Sequence, residues 1–245
     1  MRNKIIYVAL FFILTAFWEF FGASNNTVRL LISSPSLVFE YFINNQNALM
    51  EATGITLLEA VLGLLIATMF SFSVMMLCFY IPKLLNFVMP LMVGSQVIPL
   101  IVLAPFFIML MGIGIGSKVA MAALISFFPI FVNFGTGVKS IPTEILEFAY
   151  INKASTWKKI TNIYFPMSLS NLFAGIKIAA TLAVIGAIVA EFTGARVGLG
   201  KNLFLSAIRL DPDLMFSSLI LSSLIGFSLF NLIILIEKKV IRNKI

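Results

Sequence analysis

Two carboxylates lie in strongly apolar stretches of this 245-residue chain and are the first candidates for chemistry. Glu59 falls within the apolar run 55 to 80, and Glu191 closes the run 168 to 191. A charge in such a run is costly, so a functional role is the default hypothesis. Two plainer interpretations stay open, because Glu59 could pair with a lysine and Glu191 could lie at the edge of its run.

The rest of the sequence contains few residues of the types that usually carry catalysis. It holds no His and one Cys, so the commonest general base and metal ligand are missing and no intrachain disulfide can form. Cys78 lies in an apolar run and is predicted to be a small buried hydrophobe. Gly200-Lys201 ends like a phosphate-binding loop, but Asn202 replaces Ser or Thr and Ala195 stands where the first Gly belongs. We therefore predict no catalytic residue, metal site or cofactor in this chain.

Composition indicates that most of the chain lies in lipid. Hydrophobic residues make up 60%, charged residues 11%, and the mean hydropathy is +1.07. The net charge of +7 comes from Lys and Arg gathered in short segments between apolar runs, which is typical of cytoplasmic loops. We therefore predict that the chain is embedded in a lipid membrane and that it binds no nucleic acid.

Six apolar runs are long enough to cross about 30 Å of hydrocarbon: residues 5 to 21, 55 to 80, 85 to 110, 117 to 137, 168 to 191 and 214 to 236. The sequence thus predicts an all-α, multi-pass inner-membrane protein with about six transmembrane helices. An even number of spans puts both termini on one side, and the distribution of Lys and Arg favours the cytoplasm. The first run follows Arg2 and Lys4 without a clear cleavage pattern, so we expect a retained span.

Polar residues and prolines interrupt two of the runs. Gln96 and Pro99 lie in the third run, and Asn133 lies in the fourth. Such residues are tolerated where neighbouring helices or a watery cavity satisfy the freed backbone. Together with Glu191 they are our candidates for a translocation path, with hydrogen bonding between helices as the alternative for each.

The longest predicted cytoplasmic segment covers residues 140 to 166. Its apolar residues recur at roughly helical spacing, which predicts two short amphipathic helices, the second capped by Ser155 or Thr156. A simple connection would need only a few residues. The segment therefore offers a surface for a partner protein, and a helix pair lying on the lipid surface is the alternative.

Three short motifs in this segment resemble the EAA loop of binding-protein-dependent ABC importer permeases: Glu147-Phe148-Ala149, Ala154-Ser155 and Tyr164-Phe165-Pro166. Phe148 replaces the first Ala of the family pattern, and Lys153 occupies the position of its Gly. Gly relaxes a turn because it accepts positive φ, and Lys does so poorly. Either a different turn or a shifted coupling geometry is expected here.

Further motifs extend the resemblance over about residues 50 to 238: Gln96-Val97-Ile98-Pro99, Leu103-Ala104-Pro105, Gly112-Ile113-Gly114, Phe127-Phe128-Pro129 and Ala190-Glu191-Phe192. In this order they are similar to the nitrate, sulfonate and taurine branch of these permeases, which also contains transporters of thiamin-precursor pyrimidines.

The resemblance implies a type I ABC importer permease fold with cytoplasmic coupling helices. Residues 1–50 would form an N-terminal span and periplasmic segment, and residues 51–245 a core permease domain with the coupling loop 140–166. The implied partners are an ATPase that uses ATP, a periplasmic or extracellular substrate-binding protein facing residues 194–201, and a second copy of the permease. The implied solute is small and either anionic or heterocyclic, of the sulfonate, nitrate or pyrimidine class.

The resemblance also assigns residues to ATPase coupling, and these are Glu147, Ala149, Lys153, Ala154, Ser155 and Pro166. Catalysis would belong to the ATPase and not to this chain. A secondary transporter or channel without an ATPase is the alternative. It would predict an internal repeat or buried ion-binding carboxylates on several spans, and neither is evident in the sequence.

Overall fold

A computed structural model describes residues 2–23, 31–95 and 97–242, and the regular elements in these ranges are all helices. In chain order they are α1 (Arg2–Ala23), α2 (Pro35–Asn44), α3 (Gln46–Tyr80), α4 (Pro82–Ser95), α5 (Leu103–Met111), α6 (Ile115–Lys139), α7 (Thr143–Ile151), α8 (Thr156–Phe192), α9 (Leu199–Arg209) and α10 (Pro212–Arg242). A short 3₁₀ turn, Leu100–Val102, precedes α5. The prediction of an all-α protein is confirmed.

Four of these helices are long and apolar enough to cross a membrane. They are α3, α6, α8 and α10, with 35, 25, 37 and 31 residues. Each contains one of the predicted apolar runs and continues beyond it, because the polar residues that flank the run also form helix. Four of the six predicted spans therefore correspond to single long helices.

The two remaining runs lie in shorter elements. The first run lies in α1, and the third run, residues 85 to 110, is divided between α4 and α5. Pro99 has no N–H and disfavours helical backbone at Ile98, and its carbonyl accepts a hydrogen bond from the Val102 N–H at 3.0 Å. The interruption expected at Pro99 is therefore a full break between two helices.

Helix α6 is the centre of the bundle, with α8 along one side and α3 along another. Glycines let the α6 and α8 backbones approach closely: a Cβ at Gly175 would lie 2.7 Å from the Pro129 carbonyl oxygen, and one at Gly186 would lie 2.8 Å from the Ala122 Cα. Such small-residue contacts are a common way for membrane helices to pack. The pair α6 and α8 therefore forms a rigid frame for both ends of the molecule.

Aromatic side chains fill the space between α3, α6 and the start of α8. Phe131 on α6 is fully buried and stacks on Phe127 at 5.6 Å between ring centroids. Phe79, near the end of α3, stacks on Tyr164 of α8 at 4.9 Å. Cys78 is 2% exposed beside this cluster, as predicted.

These contacts define two opposite ends of the bundle. The end of α3, the end of α6 and the start of α8 lie together, next to residues 140–155, which we call the connector. The start of α3, the start of α6, the end of α8 and the start of α9 lie at the other end. We call these the connector end and the cluster end.

Candidate functional site

The connector is a short helix that ends in a firmly bonded turn. After α7, the Lys153 N–H donates to the Tyr150 carbonyl and the Ala154 N–H donates to the Ala149 carbonyl, each at 2.9 Å. Bonds from these two positions form the Schellman motif, which satisfies carbonyls at the end of a helix. The direction in which the chain leaves α7 is therefore fixed by hydrogen bonds.

Lys153 adopts the backbone conformation that a glycine would adopt at this position. Its φ is 49°, in the left-handed region. For an L-residue with a side chain this conformation costs roughly 1–2 kcal/mol. The departure from the family pattern thus leaves the turn in place and adds a conformational cost, so the expectation of a different turn is wrong.

The second half of the predicted loop is the first part of a long helix. Ser155 accepts a hydrogen bond from the Lys158 N–H at 3.4 Å, which confirms it as the cap. The helix then runs without interruption to Phe192, through a π segment at Ile160–Tyr164. Pro166 has no N–H for the α-helical ladder, and the wider π turn precedes it. The expectation of a separate second short helix is therefore wrong.

Large apolar side chains of the connector and the adjoining first turn of α8 face outward. Phe148, Tyr150, Ile151 and Trp157 are 58–77% exposed, and we call these four the connector patch. Glu147 is also exposed, whereas Ala149 is buried against the bundle. An exposed apolar patch beside charged residues is typical of a protein interface.

The predicted coupling residues therefore divide into two groups. Glu147, Lys153 and Ser155 are exposed, and Ala154 and Pro166 are half-buried. Ala149 contributes its carbonyl to the turn and its small side chain to the packing beneath the patch. The structure brings the surface members together on one side of a fixed turn.

The cluster end holds a buried polar network, the carboxylate cluster, made of Thr56, Glu59, Lys118 and Glu191. The Thr56 hydroxyl donates to Glu191 Oε1 at 2.6 Å, and the Gly200 N–H donates to Glu191 Oε2 at 2.5 Å. The Leu199 N–H donates to the Thr56 hydroxyl oxygen at 3.0 Å. Glu191 thus joins α3, α8 and the first turn of α9, whose N–H groups would otherwise lack partners.

Two glycines make room for the Glu191 carboxylate. Gly198 has φ 145°, and a Cβ there would lie 2.3 Å from the carboxyl carbon of Glu191. A Cβ at Gly200 would lie 2.3 Å from the Ile188 carbonyl oxygen. Both positions therefore require glycine for the segment to close over Glu191.

Glu59 and Lys118 complete the cluster. Lys118 is 3% exposed, and its ammonium group donates to the carbonyls of Ile113 at 2.5 Å and Gly114 at 3.0 Å. Glu59 is 1% exposed, and both Glu59 and Glu191 interact electrostatically with Lys118. Buried charges are expected to lie near groups of opposite charge.

The other candidates for a translocation path lie elsewhere. Gln96 is outside the described residues. Pro99 is exposed in the break between α4 and α5. Asn133 is half-buried on α6, where its side-chain N–H donates to the Pro129 carbonyl at 2.7 Å. Asn133 follows Lys118 by fifteen residues on one helix, about 22 Å, so the structure does not bring Asn133 and Glu191 together.

Two members of the cluster were not singled out from the sequence. Thr56 lies three residues before Glu59, a spacing that puts both on one helix face, and this signal was available. Lys118 lies at the start of the fourth apolar run, where the sequence gives no sign that its side chain is buried. The alternative in which Glu59 pairs with a lysine is not confirmed: Lys118, on another helix, lines the same cavity and interacts electrostatically with Glu59, but the described part of the chain shows no ion pair between them.

Residues 79–242 match the family described as binding-protein-dependent transport system inner membrane component. The chain belongs to this family. It is therefore a permease subunit of an ABC importer, a multi-pass inner-membrane protein without catalytic activity of its own. Systems of this family include a separate ATPase and a binding protein.

Curated relatives agree with this assignment. The chain is 39% identical over 153 residues to the riboflavin transport system permease protein RibX of Chloroflexus aurantiacus, covering 62% of this chain and 57% of that protein. It is 32% identical over 216 residues to the formylaminopyrimidine transport permease protein ThiX of Halalkalibacterium halodurans, covering 88% and 86%. A probable ABC transporter permease protein of Haemophilus influenzae is 28% identical over 89% of each chain.

A solved structure supports the fold. The match is to inward-facing conformations of the MetNI methionine ABC transporter, with a TM-score of 0.61 and 16% identity. It covers 82% of this chain and 97% of that one. The helical arrangement described above is therefore that of an ABC importer permease.

Proposed function

We propose that this permease imports a small nitrogen heterocycle of the vitamin or vitamin-precursor type, driven by an ATPase that docks on the connector patch. The observation that carries the coupling role is the connector itself, a hydrogen-bonded turn that presents four large apolar side chains to solvent. When the ATPase moves a surface that is fixed to this turn, the start of α8 moves with it, because α8 begins directly after the turn.

The percentage identities to the named relatives favour a heterocycle as the solute. Two relatives at 30% identity or more, at 39% and 32%, are named for riboflavin and formylaminopyrimidine. Relatives named for aliphatic sulfonates are 22% and 28% identical, and those named for carnitine are 26% and 28% identical. On these identities we place this chain with the first group.

The coupling proposal rests on the contrast between exposure and bonding in the connector. Glu147 and the patch are exposed, whereas the backbone beneath them is held by the Schellman bonds. Aromatic side chains such as Trp157 are the residue types that most often contribute binding energy at interfaces. We assign contact with the ATPase to Glu147, Lys153, Ser155 and the patch, close packing beneath it to Ala149 and Ala154, and the wide turn that starts the span to Pro166.

The proposed membrane topology has six crossings with both termini in the cytoplasm. The four long helices supply four crossings, α1 supplies one, and the broken pair α4 and α5 supplies one. The connector end is then cytoplasmic, and residues 194–201 at the cluster end face the binding protein. We place the domain boundary at Asn45, between α2 and α3, because a division at 50/51 would cut α3.

We also propose that two copies of the permease form the path between them. Large apolar side chains of the α4 to α5 region are exposed, among them Phe87, Val97, Ile101 and Met109 at 62–85%. In this proposal each copy supplies one wall of the route for solute. Pro99 lies in this exposed region and stays a candidate for the path, with Gln96 and Asn133.

The test is reconstitution of the permease with its ATPase and binding protein in proteoliposomes. Uptake of radiolabelled riboflavin, formylaminopyrimidine, an alkanesulfonate and carnitine is measured with and without ATP. We expect ATP-dependent accumulation of one of the two heterocycles. Accumulation of the sulfonate or carnitine alone would contradict the proposed solute class, and accumulation without ATP would contradict the coupling.

A further inference from the structure

A cavity of about 510 Å³ opens beside the carboxylate cluster. Its apolar wall includes Ile55, Ile113, Ile115 and Val197, and its polar groups come from Glu59, Lys118 and Arg196. Sites for small molecules typically have volumes of about 300–1,000 Å³, with apolar walls and a few placed polar groups. The shape and lining therefore suit a small ring system with a polar edge.

Glu59 contributes an unused acceptor to this cavity. The side chain is 1% exposed, and its Oε2 has no hydrogen-bond partner among the described residues. A buried carboxyl oxygen without a partner is costly, and native structures rarely leave one. The oxygens of Glu191 are both occupied, by Thr56 and by the Gly200 N–H, so the free acceptor of the cluster is on Glu59.

Lys118 and Arg196 contribute donors next to that acceptor. Lys118 uses two of its three N–H groups on the carbonyls of Ile113 and Gly114, as far as the described residues show, which leaves one for a ligand. Arg196 is exposed and lines the mouth of the cavity. A donor and an acceptor in the lining of one cavity suit a ligand that carries both an N–H and a carbonyl oxygen.

We propose that this cavity is a solute-binding site of the permease and that it takes the amide-like edge of a nitrogen heterocycle. Glu59 Oε2 accepts from a ring or exocyclic N–H, Lys118 donates to the adjacent carbonyl oxygen, and the isoleucine and valine side chains contact the ring faces. The assignment rests on the heterocycle class proposed above. It places first contact with the solute at the cluster end, close to residues 194–201.

The site can be tested by thiol protection in the reconstituted importer, complete with ATPase and binding protein. Cys78 is first replaced by Ala, and Ile115→Cys then introduces a thiol in the cavity wall, where Ile115 is 46% exposed. The matched control is Asn47→Cys, an exposed position at the start of α3 outside the cavity lining. The rate of methanethiosulfonate labelling is measured with and without saturating riboflavin or formylaminopyrimidine.

We expect the transported heterocycle to slow labelling of Ile115→Cys at least fivefold and to leave Asn47→Cys unchanged. Added Glu59→Leu should abolish the protection and raise the KM of uptake about tenfold. Glu59→Gln should restore part of the protection that Glu59→Leu loses, because its side-chain carbonyl oxygen can still accept a hydrogen bond in the cavity. Thermal unfolding of both variants separates loss of binding from loss of folding.

Two results would contradict the proposed site alone, and a third would contradict the proposed function on which the site rests. Uptake of a heterocycle without protection at Ile115→Cys shows that the solute passes elsewhere and that Glu59 is satisfied by water. Equal loss in Glu59→Gln and Glu59→Leu removes the role of the acceptor oxygen. If only the alkanesulfonate or carnitine is taken up, the proposed solute class fails and the heterocycle site fails with it.

Discussion

The connector end and the cluster end of the bundle handle polar and aromatic groups in opposite ways. At the cluster end, Thr56, Glu59, Lys118 and Glu191 are at most 3% exposed, and hydrogen bonds of Thr56 and Glu191 join α3, α8 and α9. At the connector end, Glu147 and the connector patch are exposed, and hydrogen bonds hold only the backbone beneath them. One end buries its polar side chains, and the other presents its side chains to a partner.

The difference shows how a transport subunit can keep one end rigid while a partner moves the other end. A buried network that joins α3, α8 and α9 gives the cluster end a defined closed arrangement, because breaking it would leave buried polar groups without partners. At the connector end, the connector patch lies on a hydrogen-bonded turn, so a partner that binds the patch can move the start of α8. Alternating access requires both, since rigid segments must move against one another around a site.

The largest expected effect comes from Gly200→Ala. A Cβ at Gly200 would lie 2.3 Å from the Ile188 carbonyl oxygen and 2.7 Å from the Glu191 Cβ, so α9 must move away from α8. We expect a loss of about 3 kcal/mol of stability, at the upper range for overpacking. Thermal unfolding in detergent measures it. Gly226→Ala, where nothing lies within 4 Å, is the control and should be neutral or stabilising.

A second contrast concerns binding to the ATPase. Trp157→Ala should weaken ATPase binding more than tenfold, about 2 kcal/mol, as expected of an aromatic interface residue. The unfolding temperature should stay unchanged because Trp157 is 58% exposed. Phe227→Ala on α10, 68% exposed, is the control and should not change the affinity. Equal affinities of the two variants for the purified ATPase would remove the connector patch from the interface.

The smallest expected effect is a gain from Lys153→Gly. Glycine adopts the φ of 49° without the penalty of a side chain, so the turn should become more stable by about 1 kcal/mol. Thermal unfolding should show a small rise. Lys158→Gly is the matched control, because Lys158 lies within the first turn of α8, and it should lower stability. A loss of stability in Lys153→Gly would mean that the lysine side chain makes an essential contact.

Much of this architecture could be predicted because lipid leaves few choices. Apolar runs near 20 residues predicted the positions of α3, α6, α8 and α10, and local capping rules narrowed the cap of α8 to Ser155 or Thr156. The sequence could not show that the second short helix continues into α8, since the π segment before Pro166 depends on backbone bonding. Lys118 and Glu59 line one cavity from two helices, and neither run of sequence carries a sign of that arrangement.

The most direct test of the central claim is to identify which protein binds to the connector end of this chain. The chain is tagged, extracted gently from native membranes, and its co-purifying proteins are identified by mass spectrometry for wild type, Glu147→Lys and Glu51→Lys. Both glutamates are exposed, but Glu51 lies near the start of α3, at the opposite end. The account predicts an ABC ATPase with wild type and Glu51→Lys and its loss from Glu147→Lys. Retention of the ATPase by Glu147→Lys, or equal loss from both variants, would contradict it.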